Sequence, residues 1–343
     1  MRKFIIRLFL FIFIPVSALA LVYFVTDPYK TIRPFSLRYF DTTNRDYLSS
    51  ELFLLNDPEQ HYNSFMFGSS QVSGFNTYHW KSFLPEGSRQ FLFQSWSETI
   101  TGIDQKISFL DARGNDIKNA LILLDIPSMF TSKQAPTAAL SIKDPRISGQ
   151  PRWIHQMILL YDFLQKPSQW IKAIRQSVRH TQASVSFDPL SNDWEKNNRD
   201  VDFSVPPPKD SLRNTSAISK AAFLKDNESY SDADLVVCSP VIDEGAISKL
   251  RHIKEVFDRH DTDYRIIIDP GYCYTTPATN PKDLEQLEHI FGKDKVFNFS
   301  GKNDLNSDYN NFSDPVHFGQ YVGWHILETV YASDNKAFEE EIQ

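Results

Sequence analysis

Short apolar runs separated by polar connections dominate the chain after residue 62. Ser64–Gly68, Gln90–Phe93, Ala120–Leu124, Asp263–Ile268 and Val296–Phe297 are brief and rich in Phe, Ile and Leu. Apolar runs of this length that end in turn-formers read as strands buried inside a sheet. Between them, apolar residues recur at helical spacing: Ile103, Ile107 and Leu110; Ile247, Leu250, Ile253, Val256 and Phe257; Leu284, Leu287 and Ile290. Helix followed by strand is the crossover rhythm of a parallel sheet.

Three regions break the rhythm. Phe4 to Val25 is almost wholly apolar, with Arg7 its one charge, and is long enough to span a bilayer. Arg2, Lys3 and Arg7 place its N-terminal end in the cytoplasm by the positive-inside rule. Ser17-Ala18-Leu19-Ala20 offers the small residues of a signal-peptidase site, but Leu21 to Val25 carry the apolar run past it, which favours an uncleaved anchor over 1–25. Thr26 to Tyr62 is polar and aromatic-rich and reads as a stalk that packs back on the domain, 63–343. Within that domain, 131–220 is turn-rich and reads as an insertion able to lid a site or meet a partner. Arg152–Leu164 and Ser168–Arg179 are predicted helices inside it. Their stripe of Trp153, Met157, Leu160, Tyr161 and Leu164 reads as packing, and His155 and His180 as surface residues.

Composition narrows the class. The net charge is −7 over 343 residues. Residues 1–30 hold Arg2, Lys3, Arg7 and Lys30 against Asp27, so the rest of the chain carries −10, which argues against nucleic acid as a partner. Cys238 and Cys273 would meet an oxidising compartment outside the membrane, but their positions in sequence do not decide whether they pair. There is no dinucleotide-binding or Walker glycine loop and no Cys-x-x-Cys. The turn after the first strand has Val72 where an α/β-hydrolase elbow has its second glycine. No cofactor is implied, and no histidine pair has metal-ligand spacing.

Two stretches carry chemistry. The first strand breaks into Gly68-Ser69-Ser70, a turn that would present a hydroxyl and backbone N–H groups at the ligand-bearing edge of an open sheet. Near the other end, Asp314-Pro315-Val316-His317 sets a carboxylate and an imidazole three residues apart, ahead of a final apolar-periodic segment. That imidazole could deprotonate a serine while the carboxylate fixes its tautomer. Together these stretches resemble the SGNH/GDSL hydrolase superfamily, with its Gly-Asp-Ser first block and Asp-x-x-His last block. Gly-Ser-Ser after a membrane segment is similar to its exported branch, which includes the DltD-type proteins and the alginate O-acetylation proteins.

The resemblance implies Ser70 as nucleophile, His317 as base and Asp314 as its orienting acid. Its middle blocks are altered here. Glu98 or Ser97 stands near the glycine of the second block, and Asp125 where the third block has an oxyanion-donating asparagine. An ionised carboxylate cannot donate, so Asp125 is expected to bind a sugar hydroxyl or position a loop, or else to cap the following turn. Asp269 and Tyr272 should emerge at the same sheet edge. Glu98, Asp125 and Asp269 are therefore the candidate substrate-binding residues.

The expected architecture is a three-layer α/β/α sandwich with a mainly parallel sheet, behind one transmembrane helix. By resemblance, the expected chemistry is serine-dependent O-acyl transfer, acetyl above all, to or from an exported cell-envelope polysaccharide. A multispanning membrane acyltransferase would be the partner, and the domain would be periplasmic or extracellular. Two alternatives stay open: a plain carbohydrate esterase, and a catalytically silent polysaccharide-binding or scaffold module.

Overall fold

The strands form where the apolar runs predict them, and the first three, Ser64–Gly68, Gln90–Gln94 and Asn119–Leu124, are buried at every residue. In a computed structural model, residues 1–34, 44–131, 142–179, 187–194, 202–207 and 236–342 are described, with the backbone alone for 131, 176–179 and 332–342. The strands are β1 (Ser64–Gly68), β2 (Gln90–Gln94), β3 (Asn119–Leu124), β4 (Asp263–Ile268) and β5 (Val296–Asn298). The helices are α1 (Arg2–Thr26), α2 (Arg45–Gln60), α3 (Thr77–Lys81), α4 (Ile100–Arg113), α5 (Ser128–Thr131), α6 (Pro145–Ser148), α7 (Arg152–Leu164), α8 (Pro167–Arg179), α9 (Glu244–His260), α10 (Pro281–Phe291) and α11 (Gln320–Ile342). Two compact units result: Met1–Glu51 with Lys133–Ser186, and Leu52–Ser132 with Phe187–Gln343.

The second unit is an α/β domain. Among the described residues its sheet has five strands in the order β2-β1-β3-β4-β5, every neighbouring pair parallel. Alternate residues of a strand point to opposite faces. On one face Met66, Leu92, Leu121, Leu123 and Ile267 pack with Val322, Ile326, Leu327 and Val330 of α11. On the other, Phe65, Phe91 and Phe93 surround Phe53 of α2 at ring separations of 5.4–6.1 Å. Each buried Phe or Leu of this kind contributes about 1.5–3 kcal/mol. Strand order reverses direction between β1 and β3, and such a switch point opens a crevice at the carboxyl ends of the strands.

Helix ends are set locally. Thr99 Oγ1 accepts the Gly102 N–H at the start of α4, which ends on Gly114 in the left-handed region. Asp243 caps α9, and α4 packs beside it. Their exposed rims join through Asp104–His252 at 2.6 Å and Asp111–His260 at 2.8 Å.

Part of the segment read as an insertion belongs to this domain. Residues 187–194 line the outer edge of β2: the Leu92 N–H donates to Ser191 O at 2.9 Å, and Asn192 Nδ2 donates to Leu92 O at 2.6 Å. Asp193 anchors the loop by accepting the Thr77 N–H and hydroxyl, at 3.2 and 2.5 Å. Burial pushes its carboxyl up to about 7. A covered edge cannot template pairing with another chain.

The first unit contains α1, which is long and apolar enough to cross a membrane. Its 25 residues span about 37 Å. After α1 the chain turns on Asp27, whose carboxylate accepts the N–H groups of Thr31, Ile32 and Arg33 at 2.9–3.3 Å. The Tyr29 hydroxyl donates to Asp162 of α7 at 2.5 Å. Tyr23, Tyr29, Ile142, Leu159, Phe163 and Ala173 form the core of this unit. The stretch read as a stalk thus contains this packed turn and, beyond 35–43, which lie outside the described residues, helix α2.

Two expectations for the helices fail here. His155 is buried against Tyr47, and burial lowers its pKa to about 4. Trp153, Met157 and Tyr161 are exposed rather than packed, because α7 buries the opposite face through His155, Leu159 and Phe163. His180 and 208–220 lie outside the described residues. No disulfide joins Cys238 and Cys273.

Candidate active site

The turn after β1 is built to place one hydroxyl. β1 ends at Gly68, where a Cβ would sit 2.8 Å from that of Val72, so only glycine allows the chain to fold back so tightly. Ser70 then opens a 3₁₀ turn, Ser70–Gly74. Ser69 caps it: its hydroxyl donates to Gln71 Oε1 at 2.8 Å and accepts the Gln71 N–H at 3.4 Å. As the first residue of the turn, Ser70 has a backbone N–H with no partner inside it.

The loop 312–318 brings the other two groups. Phe312 and Phe318 pair across its neck, and the Ser313 N–H donates to His317 O at 2.9 Å. Asp314 Oδ1 accepts the N–H groups of Val316 and His317, both at 3.0 Å, while its Oδ2 lies 2.7 Å from His317 Nδ1. His317 Nε2 lies 2.6 Å from Ser70 Oγ, 247 residues away in sequence. An ionised carboxylate only accepts, so Nδ1 carries the proton and Nε2 accepts from the Ser70 hydroxyl.

Electrostatics support this assignment. Burial opposes the charge of Asp314, but its hydrogen bonds from the imidazole and from the Val316 and His317 N–H groups outweigh burial and lower its pKa. The hydrogen bond to Asp314 raises the His317 pKa against the opposing effect of burial, and Asp125 adds to the rise.

Two glycines let the pieces meet. At Gly323, on the first turn of α11, a Cβ would lie 2.2 Å from Gly74 O; at Gly74 one would strike the Phe318 ring at 2.3 Å. Backbone contact between the serine turn and α11 therefore fixes how far His317 stands from Ser70. The loop is also held from β4, by the Tyr272 N–H donating to Pro315 O at 2.8 Å.

Asp125 and Asp269 follow β3 and β4 at adjacent positions of the same register, just beyond the Leu124–Ile268 pair. Asp125 is half-buried beside His317. Burial raises its pKa, while hydrogen bonds from Ser128 and Gln71 and the nearby His317 oppose the rise. Its carboxylate meets Ser128, the first residue of α5, and faces the imidazole. Asp269 is buried, and burial together with Asp125 drives its pKa well above the carboxylate range. Its Oδ1 is buried without a hydrogen-bond partner among the described residues. Two like charges side by side favour a proton on one of them.

Glu98 is not at the substrate edge. Its side chain is fully buried and lies 2.6 Å from Lys106 Nζ, and it accepts the Thr99 N–H at 2.9 Å. A buried carboxylate needs such a cation, so Glu98 ties the start of α4 to its second turn. This corrects the expectation that its side chain meets substrate. Tyr272 is buried in the core beside Phe312 and does not line a groove.

The chain matches no known family model and no curated protein. Sequence reasoning missed Gln71, Gly74 and Gly323; a glycine at the start of an apolar-periodic helix was the signal available for the last.

Proposed function

We propose that the chain is a serine-dependent acyl-transfer enzyme of the outer cell envelope, with Ser70 as nucleophile. The observation that carries this reading is the continuous chain Ser70 Oγ–His317–Asp314, at 2.6 and 2.7 Å. His317 Nε2 takes the hydroxyl proton as Ser70 Oγ attacks an ester carbonyl, and Asp314 stabilises the imidazolium that forms. The Ser70 N–H is placed to receive the oxyanion. Collapse expels the alcohol, which leaves with the proton held by His317, and the acyl group remains on Ser70. A second hydroxyl, from water or a sugar, gives its proton to His317 as its oxygen bonds to the acyl carbon; the bond to Ser70 Oγ then breaks and His317 returns that proton to Oγ.

The resemblance to exported SGNH-type proteins supports an O-acyl group, acetyl above all, on an envelope polysaccharide as the substrate, with a multispanning membrane acyltransferase as donor. Arg2, Lys3 and Arg7 in the opening turns of α1 support a cytoplasmic N-terminus and an exported domain. Deleting the protein is expected to lower the acyl content of envelope polysaccharide, and Ser70→Ala should fail to restore it. Higher acyl content on deletion would make the protein an esterase. Full restoration by Ser70→Ala would reject catalysis and leave a binding or scaffold module.

A further inference from the structure

Single exposed apolar side chains are ordinary; clustered ones are not. Among the described residues, ten large apolar side chains after α1 are exposed, and five of them lie in α7 and α8. Trp153, Met157 and Tyr161 stand four residues apart along one face of α7 and are 68%, 57% and 53% exposed. Ile171 and Ile174 are 54% and 47% exposed on α8. Facing water, each of these side chains forgoes the roughly 1.5–3 kcal/mol that its burial would contribute.

The charge around it is also distinctive. By sequence, α7, α8 and the link between them hold Arg152, Lys166, Lys172, Arg175 and Arg179 against Asp162, in a chain whose net charge is −7. Lys166 pairs with Asp162 at 2.7 Å and Arg152 reaches Thr31 O. Lys172 and Arg175 are exposed beside Ile171 and Ile174.

Position supplies the occupant. About 20 residues of helix cross the hydrocarbon of a bilayer. Counted from Phe4, that span ends near Tyr23, and α7 and α8 grip α1 at this point. Val22, Tyr23 and Tyr29 share a core with Leu159, Phe163, Ala173 and Trp170, and the Tyr23 hydroxyl donates to Gln156 at 2.9 Å. The hairpin is thus fastened where α1 leaves the hydrocarbon. Trp and Tyr with flanking cations are the side chains that settle at this boundary.

We propose that the α7–α8 hairpin lies in the headgroup region of the bilayer that α1 crosses, with Trp153, Met157, Tyr161, Ile171 and Ile174 entering the acyl boundary and Lys172 and Arg175 meeting anionic lipid phosphates. The membrane anchor is then a helix plus an interfacial foot, which limits how far the first unit can rise or tilt.

The test uses the full-length chain in vesicles of equal parts zwitterionic and anionic phospholipid, with no other protein present. Emission from Trp153 is isolated by subtracting a Trp153→Phe variant, which keeps an aromatic at an exposed position and floats with vesicles through α1 as the parent does. We expect that emission to be quenched by lipids brominated near the headgroup end of their chains and shielded from acrylamide. Lys172→Glu with Arg175→Glu should weaken the bromolipid quenching. Emission untouched by bromolipid and fully open to acrylamide would overturn the proposal, and would leave the face for a protein partner. Unchanged quenching in the charge-reversed variant would overturn the role of anionic phosphate.

Discussion

At the scale of residues, the protonation of His317 sets the behaviour of the site. Asp314 raises its pKa, so the imidazole loses its basic form as pH falls through a value above the ordinary 6.5. Catalysis needs the neutral ring, and the acid limb of kcat/KM should therefore lie above that value. Asp314→Asn removes the carboxylate and frees the wrong tautomer. It should move the limb downward and cut kcat by on the order of ten-thousandfold. Ser70→Ala and His317→Ala should abolish labelling by a serine-directed phosphonate, whereas Ser69→Ala should retain it, because the Ser69 hydroxyl is spent on Gln71. Labelling that persists in Ser70→Ala would rule out this nucleophile. Asp125 lies close enough to the imidazole to help raise its pKa but transfers no proton in this scheme, and the buried Asp269 stands beside it.

At the scale of elements, the site depends on how closely the serine turn and α11 approach. Gly323→Ala puts a methyl group 2.2 Å from Gly74 O, which is backbone and cannot swing aside. The helix must shift, at about 1–3 kcal/mol for overpacking of this kind. His317 sits three residues before Gln320, where this helix starts, so the shift should also lengthen the Ser70–His317 hydrogen bond. The expected result is a lower unfolding midpoint together with slower phosphonate labelling, read by thermal denaturation and by labelling rate. Unchanged labelling at a lowered midpoint would show that the loop 312–318 holds its geometry without the helix. The Glu98–Lys106 pair ties the start of α4 to its second turn and hydrogen-bonds to none of the reacting atoms.

At the scale of the whole molecule, an apolar helix and a parallel α/β domain occur in one chain with opposite charge balance at its start and in its body. Lys and Arg bias sets the orientation of a membrane helix, and Arg2, Lys3 and Arg7 all precede or open α1. A reporter fused after Gln343 should be active only outside the cytoplasm. Activity only inside it would reverse the orientation and remove envelope polysaccharide as a reachable substrate.

The apolar runs determined the strands on their own, because a segment with both faces covered must be apolar throughout, and five such runs appear between helical spacings. Gly68-Ser69-Ser70 and Asp314-Pro315-Val316-His317 were legible for a similar reason: the turn chemistry and the tautomer-fixing pair are each local. Helix α2 was not read from the sequence, since its buried face alternates Tyr47, Leu48, Leu52 and Phe53 with the equally buried polar residues Asp46, Ser49 and Ser50. Only tertiary structure decided that Glu98 pairs inward with Lys106, that 187–194 closes the sheet edge, and that Trp153 faces out while His155 faces in. Each of these depends on which neighbour arrives at a given face, and that is set by contacts between residues far apart in the chain. The 2.6 Å between Ser70 and His317 belongs with them: sequence supplied both groups, and two glycines in backbone contact supplied the distance.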